Sequence, residues 1–497
     1  MQFNSVEFIV FFFISTLVFF SIPKKFKWVF LLLASCFFYA FLVPYYIIFV
    51  LITITNDYSA GLLIEKYRNR KNLFLLQSLI VDIGILFFFK YFNFFSYNTE
   101  QLSKILDWNY SLPVLKMLIP IGLSFYTFKS LGYVLEVYRG DYKAERHFGI
   151  YSLYVLFYPE ILSGPIDRPQ NLLNQLHEFK DFDYERVTNG LKLIAWGFFQ
   201  KLVIADRLAL MVNEVYSNPH SYNGLIFAFT TIIFAIQIYC DFSGYTDIAI
   251  GVSEILGFNI LKNFNRPYFS KSVAEFWRRW HISLSSWVRD YVYTPLSINL
   301  RNWGAFSVIF ALYVTFISVG IWHGANWTFV IFGFLHGTFM VISYLTRKIR
   351  KNLLKSSGLI KFPRVHRIFS VVFTFSLVCF CFIFFRANDL KDAVYIISHI
   401  QTGYADYVIL ALRSFNTFDL KSLLHPFMIG FNFKDLIFSL TFVSLFFFAQ
   451  LLQRKIEIIK FISEKPAIIR WALYIVFTFV ILEFGKFDNR QFIYLLF

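Results

Sequence analysis

Residues 305–346 read AFSVIFALYVTFISVGIWHGANWTFVIFGFLHGTFMVISYLT, 42 residues without a single Asp, Glu, Lys or Arg. As α-helix this stretch extends about 63 Å, enough for two crossings of a hydrocarbon core ~30 Å thick with a tight turn between them. The turn is predicted at Trp322-His323-Gly324. On one side lies a basic segment from Lys262 to Arg301. On the other, Arg347 to Arg367 carries eight Lys or Arg and no acid. Excess positive charge in short loops marks the cytoplasmic side, so both flanks are placed there and the pair of helices crosses out and back.

The same reading extends along the whole chain. Of its 497 residues 57% are hydrophobic, 22% aromatic and only 16% charged, against ~25% charged in a soluble domain. Earlier spans are predicted near 7–22, 28–42, 45–61, 73–92, 114–137, 188–212 and 225–256, with later ones near 369–387, 436–453 and 470–484. Lys24, Lys25 and Lys27 after the first span, Lys66 to Lys71 after the third and Arg139 to Arg146 after the fifth all fall on the cytoplasmic side. The expected fold is an all-α bundle of about 11–12 spans with both termini outside, forming one membrane domain over residues 1–497. The segment 149–170, containing Leu162-Ser-Gly164-Pro165, is too broken for a span. It is predicted to be re-entrant or interfacial, which is tolerated where protein or water satisfies its backbone.

Other classes are disfavoured. The net charge of +16 is spread through loops between apolar blocks, which argues against nucleic-acid binding. Cys36, Cys240, Cys379 and Cys381 lie in apolar stretches without zinc or disulfide spacing. The stretch Glu7 to Ile22 lacks a basic leader and suits an uncleaved span better than a signal peptide. His281, His323 and His336 form no i, i+3 or i, i+4 pair, so no metal is expected. No GxSxG elbow, P-loop or GxGxxG fingerprint occurs.

Four stretches hold the candidate chemistry. Asn263-Phe-Asn265-Arg266-Pro267-Tyr268 precedes Ser272-Val-Ala-Glu275-Phe-Trp277-Arg278-Arg279-Trp280-His281, where Ser272 and Glu275 spell a capping box. At 100° per residue Trp277, Trp280, Leu284, Trp287, Val288 and Tyr291 share one arc, with Arg278, His281, Ser285 and Arg289 beside it. This predicts an interfacial helix, either a lipid anchor or an entrance where arginines meet the phosphates of a carrier. Gly320-Ile-Trp322-His323-Gly324-Ala-Asn326-Trp327 places an imidazole between two charge-free spans. It is either a packing residue or a general base, with Asn326 to orient it or to donate to an oxyanion. Asp241 and Asp247 share an apolar block and need partners, such as Arg266 or helix N-termini. The tail Phe492-Ile493-Tyr494-Leu495-Leu496-Phe497 follows the last span on the outer side, where it either packs in lipid or brings a tyrosine to an acyl-transfer cavity.

Together these residues resemble the membrane-bound O-acyltransferase family, in particular its bacterial branch that O-acetylates alginate and peptidoglycan. Pro120-Ile-Gly122-Leu-Ser124-Phe-Tyr126-Thr-Phe128, Ser163-Gly164-Pro165-Ile166, the Asp241 to Gly251 block, Asn263 to Tyr291 and Trp322 to Trp327 carry the likeness. The resemblance implies a helical bundle with a central pore, a cytoplasmic acyl thioester as donor and a hydroxyl acceptor from the opposite side. Its essential histidine maps onto His323 and its second conserved polar position onto His281. Acetyl-CoA is the implied donor, with no permanently bound cofactor, and an SGNH-like extracytoplasmic acetyltransferase is the implied partner. The implied location is the cytoplasmic (inner) membrane. Expected roles follow: His323 as base, His281 in donor positioning, Asn326 at the oxyanion, Arg278, Arg279, Arg289, Ser285 and Trp277 on the donor, and Tyr494 as an acyl relay. D-alanyl transfer to teichoic acid and a non-catalytic acyl or glycan transporter are the alternatives.

Overall fold

The computed structural model describes residues 1–108, 110, 113–115, 118–358, 361–417, 419–454, 456–487 and 490–493. Its regular elements are helices, and among the described residues there is no strand. Eight helices are long and apolar enough to cross a membrane: Pro44–Lys66, Arg68–Ile105, Gly224–Leu256, Ala305–His323, Trp327–Leu345, Pro363–Arg386, Phe433–Leu452 and Ala467–Phe484. In all of them but Gly224–Leu256, which is 72% buried, more than half of the apolar window stays outward where lipid would cover it. In Ala467–Phe484, for instance, no residue is buried despite a mean hydropathy of 2.0. This is a multi-pass membrane protein.

The other expected spans are also helical but shorter or interrupted. Val6–Ser21, Lys24–Ala40 and Leu123–Arg139 have 16, 17 and 17 residues. The last starts later than the predicted 114, because Pro120 and Gly122 hold the chain in a turn first; residues 116 and 117 lie outside the described residues. The span predicted at 188–212 passes through a π-helical stretch, Phe199–Ala205, between Tyr184–Phe198 and Asp206–Ser217. Beyond the span predicted to end near 92, the chain stays helical as far as Ile105.

The described chain divides into two compact units. The first comprises residues 1–194 and 245–262. Its centre is the segment predicted to be re-entrant. Phe148–Leu156 is a helix of nine residues, far too short to span, and the chain behind it turns through Ser163-Gly164-Pro165, wholly buried. Protein groups satisfy it: Tyr245 accepts from the Ser163 N–H at 3.3 Å, Tyr154 donates to the Asp167 carbonyl at 2.9 Å, and Lys129 pairs with Glu160. Gly122, at φ +77°, is needed here because a Cβ would lie 2.2 Å from the Ile161 carbonyl oxygen. Two of the sequence motifs thus meet backbone to backbone.

The second unit comprises residues 195–244 and 263–493. It contains the paired charge-free helices, the segment from Asn263 onward and the final spans. The histidines of interest all belong to it.

Candidate functional site

The charge-free stretch forms two helices, Ala305–His323 and Trp327–Leu345, broken at the predicted turn. Glycines set how closely they pack. A Cβ on Gly320 would lie 2.2 Å from the Phe329 carbonyl oxygen, and one on Gly333 would lie 2.2 Å from the Phe316 carbonyl oxygen. Small residues of this kind let membrane helices approach until their backbones touch. The turn is held by Asn326, whose Oδ1 accepts from the Thr328 N–H at 3.0 Å and whose Nδ2 donates to the Asn388 carbonyl at 2.9 Å. Its amide is therefore directed to the helix cap and to Asn388.

His323 ends the first helix and is 2% exposed. Its ring sits among Trp322 and Phe385, each with centroids 5.0 Å away, and Phe332 at 5.7 Å. On the predicted topology this is the outer end of a helix of 19 residues, about 28 Å from its cytoplasmic start.

The segment from Asn263 departs from expectation in one respect. Ser272 does cap a helix, accepting from the Glu275 N–H at 3.2 Å, but that helix is only Val273–Trp277. A continuous helical arc to Tyr291 is not formed. The chain breaks at His281, at φ +44°, and resumes as Ile282–Val288 followed by a π-helical turn. The cause is residues 263–265, which dock along the break. The Asn263 carbonyl accepts from the Ile282 N–H at 2.9 Å, and the Asn265 N–H donates to the Arg279 carbonyl at 2.9 Å. A non-glycine residue in left-handed backbone costs about 1–3 kcal/mol and persists where surrounding contacts enforce it. Periodicity cannot register such a stitch, because it joins residues through their main chain.

The same asparagine sets the His281 tautomer. Asn263 Oδ1 accepts from the Ser283 N–H at 3.2 Å and from Ser283 Oγ at 3.0 Å, so the oxygen faces this way. His281 Nδ1 lies 3.2 Å from that oxygen. An amide oxygen only accepts, so Nδ1 carries the hydrogen and Nε2 holds the lone pair. The ring is fully buried against Phe242 and Trp322, at centroid distances of 4.8 and 5.7 Å. Burial pushes its pKa down to about 3, so it is neutral. Because Trp322 touches both rings, the His281 and His323 imidazoles are no more than about 11 Å apart.

Asn263→Ala removes the acceptor of all three bonds at once. Each buried group left unsatisfied costs about 1–3 kcal/mol. Acyl transfer is expected to fall about tenfold to a hundredfold, by initial rates on protein that elutes as a single detergent-solubilised species. An unchanged rate would mean that the orientation of His281 has no part in turnover.

The remaining predicted site residues are distributed as follows. Trp277 is buried, and its Nε1 donates at 3.2 Å to Nδ1 of His336, a fully buried residue of the Trp327–Leu345 helix. Phe332 stacks edge-on to both His336 and His323, at 4.7 and 5.7 Å, so three imidazoles share one aromatic cluster. His336 carries no local motif; only its contact with a tryptophan 59 positions away reveals it. Arg278 is exposed. Arg279 pairs with Glu275 at 2.6 Å and Arg289 with Asp290 at 2.8 Å. Ser285 Oγ donates to the Trp280 carbonyl at 3.1 Å. A cation absent from the predicted set is Arg266, whose pKa is lowered by burial and by the like charges of Arg279 and Arg454. Asp241 is partnered by Lys201 at 2.6 Å rather than by Arg266. Tyr494 lies outside the described residues. Among the described residues no group of three His, Cys, Asp or Glu is placed to hold a metal.

Spanning helices around a buried cluster of imidazoles define a polytopic membrane protein with a histidine-centred site. Residues 146–385 match MBOAT, the membrane-bound O-acyltransferase family. The chain is 33% identical to the probable alginate O-acetylase of Pseudomonas aeruginosa, over 87% of its own length and 79% of that protein. Against the peptidoglycan O-acetyltransferase of Helicobacter pylori it is 31% identical, over 73% and 72% of the two chains. Against the teichoic acid D-alanyltransferase of Bacillus subtilis it is 30% identical, over 54% and 69%. The chain belongs to the membrane-bound O-acyltransferase family and is an O-acyltransferase.

Proposed function

We propose that this enzyme moves an acetyl group from cytoplasmic acetyl-CoA to a hydroxyl of an extracytoplasmic polysaccharide of the alginate, peptidoglycan or exopolysaccharide type. It would do so across the cytoplasmic (inner) membrane, directly or through an SGNH-like partner. The observation that carries this reading is the pairing of His281 and His323 through Trp322. His281 lies in the basic segment from Lys262 to Arg301 and His323 ends the charge-free helix Ala305–His323, and their rings are brought within about 11 Å of each other. A donor and an acceptor reaching this cluster from opposite compartments would be separated by one indole.

In the proposed step, His323 takes the proton of the attacking hydroxyl as its oxygen bonds to the thioester carbon. The carbon–sulfur bond then breaks, the thiolate takes up a proton, and an ester and coenzyme A remain. Neutral imidazole is the form that accepts a proton. His281 positions the donor, and Asn326 serves by fixing the turn that presents His323. The crowding of Arg266, Arg279 and Arg454 supports an electropositive approach for the donor's phosphates, which Arg278 and Arg289 would extend. Acetyl is favoured over D-alanyl because the alignment with acetyltransferases runs over a larger share of both chains.

A relay through Tyr494 is part of this reading. The test is transfer from labelled acetyl-CoA by purified protein, with the parent chain compared with Tyr494→Phe. Label should leave acetyl-CoA only with the parent. A chain that never consumes the donor would remove the acetyl-CoA assignment. Equal transfer by both proteins would remove the relay.

A further inference from the structure

We propose that the buried Lys201–Asp241–Asp206 cluster is a latch that grips the C-terminal segment by its main chain, making Lys201 and Asp241 positioning residues for Tyr494; the role in transfer rests on the relay reading above. The side chains of the three residues are 1%, 3% and 4% exposed. Lys201 Nζ donates to Asp241 Oδ1 at 2.6 Å and to Asp206 Oδ1 at 2.9 Å. An ammonium has three donors, and the third goes to the Gln491 carbonyl at 3.3 Å. The second oxygen of Asp241 accepts from the Ile493 N–H at 2.6 Å. Between these two bonds the Phe492 ring, 1% exposed, lies 4.2 Å from Nζ.

Without the tail, one ammonium donor and Asp241 Oδ2 would be orphaned beside Asp206 Oδ2, which has no hydrogen-bond partner among the described residues, and each orphan inside a protein is costly. The tail supplies both missing partners. Neighbouring contacts lead the chain to this point. Arg207, paired with Asp435 at 2.7 Å, donates to the Phe484 carbonyl at 2.7 Å. The Lys486 N–H donates to the Leu202 carbonyl at 3.0 Å, and Arg490 donates to the Asp206 carbonyl at 3.1 Å. Because the closing bonds use backbone groups at 491 and 493, the grip fixes where the chain lies irrespective of those side chains. Tyr494 follows in the next position.

Ile493→Pro deletes the N–H from which Asp241 accepts and leaves the side chains of the cluster unchanged. The test is timed carboxypeptidase digestion of the full-length protein in detergent, read by mass spectrometry, alongside acetyl transfer. In the parent and in Ile493→Ala, which keeps the N–H, trimming should stall near residue 493. In Ile493→Pro it should pass residue 491 about tenfold to a hundredfold faster, and transfer should fall. Asp241→Asn should release the tail likewise, provided it elutes as the parent does. Equal protection in Ile493→Pro and the parent would overturn the latch. A freed tail with undiminished transfer would overturn the positioning role and the Tyr494 relay, and leave the grip standing.

Discussion

Replacing His323 by alanine is expected to abolish acyl transfer while the protein is still made and inserted. General-base catalysis contributes typically 10²–10⁴-fold, and no other imidazole occupies the end of the Ala305–His323 helix. The ring is packed among Trp322, Phe332 and Phe385, so alanine also opens a cavity. Large-to-small changes in such cages cost about 3–5 kcal/mol, which could by itself reduce yield. Glutamine fills more of the space and keeps a polar end. His323→Gln should therefore recover the parent's thermal stability in detergent without recovering transfer. Undiminished product from either variant would rule out the role.

A substitution with no titratable group should be nearly as damaging. Gly333→Ala places a methyl where the Phe316 carbonyl oxygen is 2.2 Å away, and that oxygen belongs to a helix backbone. The two helices must separate to admit it. Overpacking of this kind typically costs about 1–3 kcal/mol, and here the displaced helix is the one that ends in His323. The expected result is a lowered melting temperature in detergent together with a loss of transfer larger than the loss of folded protein. Gly84→Ala is the control. No atom lies within 4 Å of its added carbon, and alanine favours helix by about 1 kcal/mol over glycine. If Gly333→Ala melts and turns over like the parent, close helix contact does not set the site.

How much of this was legible in the sequence depends on the reach of each signal. Hydropathy and loop charge act within about twenty residues, so helix forms wherever a span is predicted, although eight helices rather than 11–12 are long and apolar enough to cross and 188–212 is interrupted, and the turn at Trp322-His323-Gly324 falls at the predicted place. The capping box at Ser272 is equally local and marks the correct helix start. What periodicity misplaced is the continuation past Trp277. The arc drawn through Trp280, Leu284 and Tyr291 assumes unbroken α-helix, whereas Asn263 and Asn265 enforce a left-handed residue at position 281. In the sequence Asn263 is legible only as part of a motif, and its three acceptor bonds show why that motif precedes the histidine. His336 gives no local signal because its partner Trp277 is distant in sequence. The apolar surroundings of Asp241 show that it needs a partner, but a lysine 40 residues earlier and a backbone N–H 252 residues later leave no common local signature.

That last separation has a temporal consequence. Lys201 and Asp241 leave the ribosome and enter the bilayer long before Gln491 and Ile493 exist, so until then each waits with a hydrogen bond unmade inside a nascent bundle. Contacts this remote along the chain form late. The centre of the second unit is thus completed only after residue 493 has been made, and a chain stalled or cut short before position 491 would arrive in the membrane with its charged heart still open.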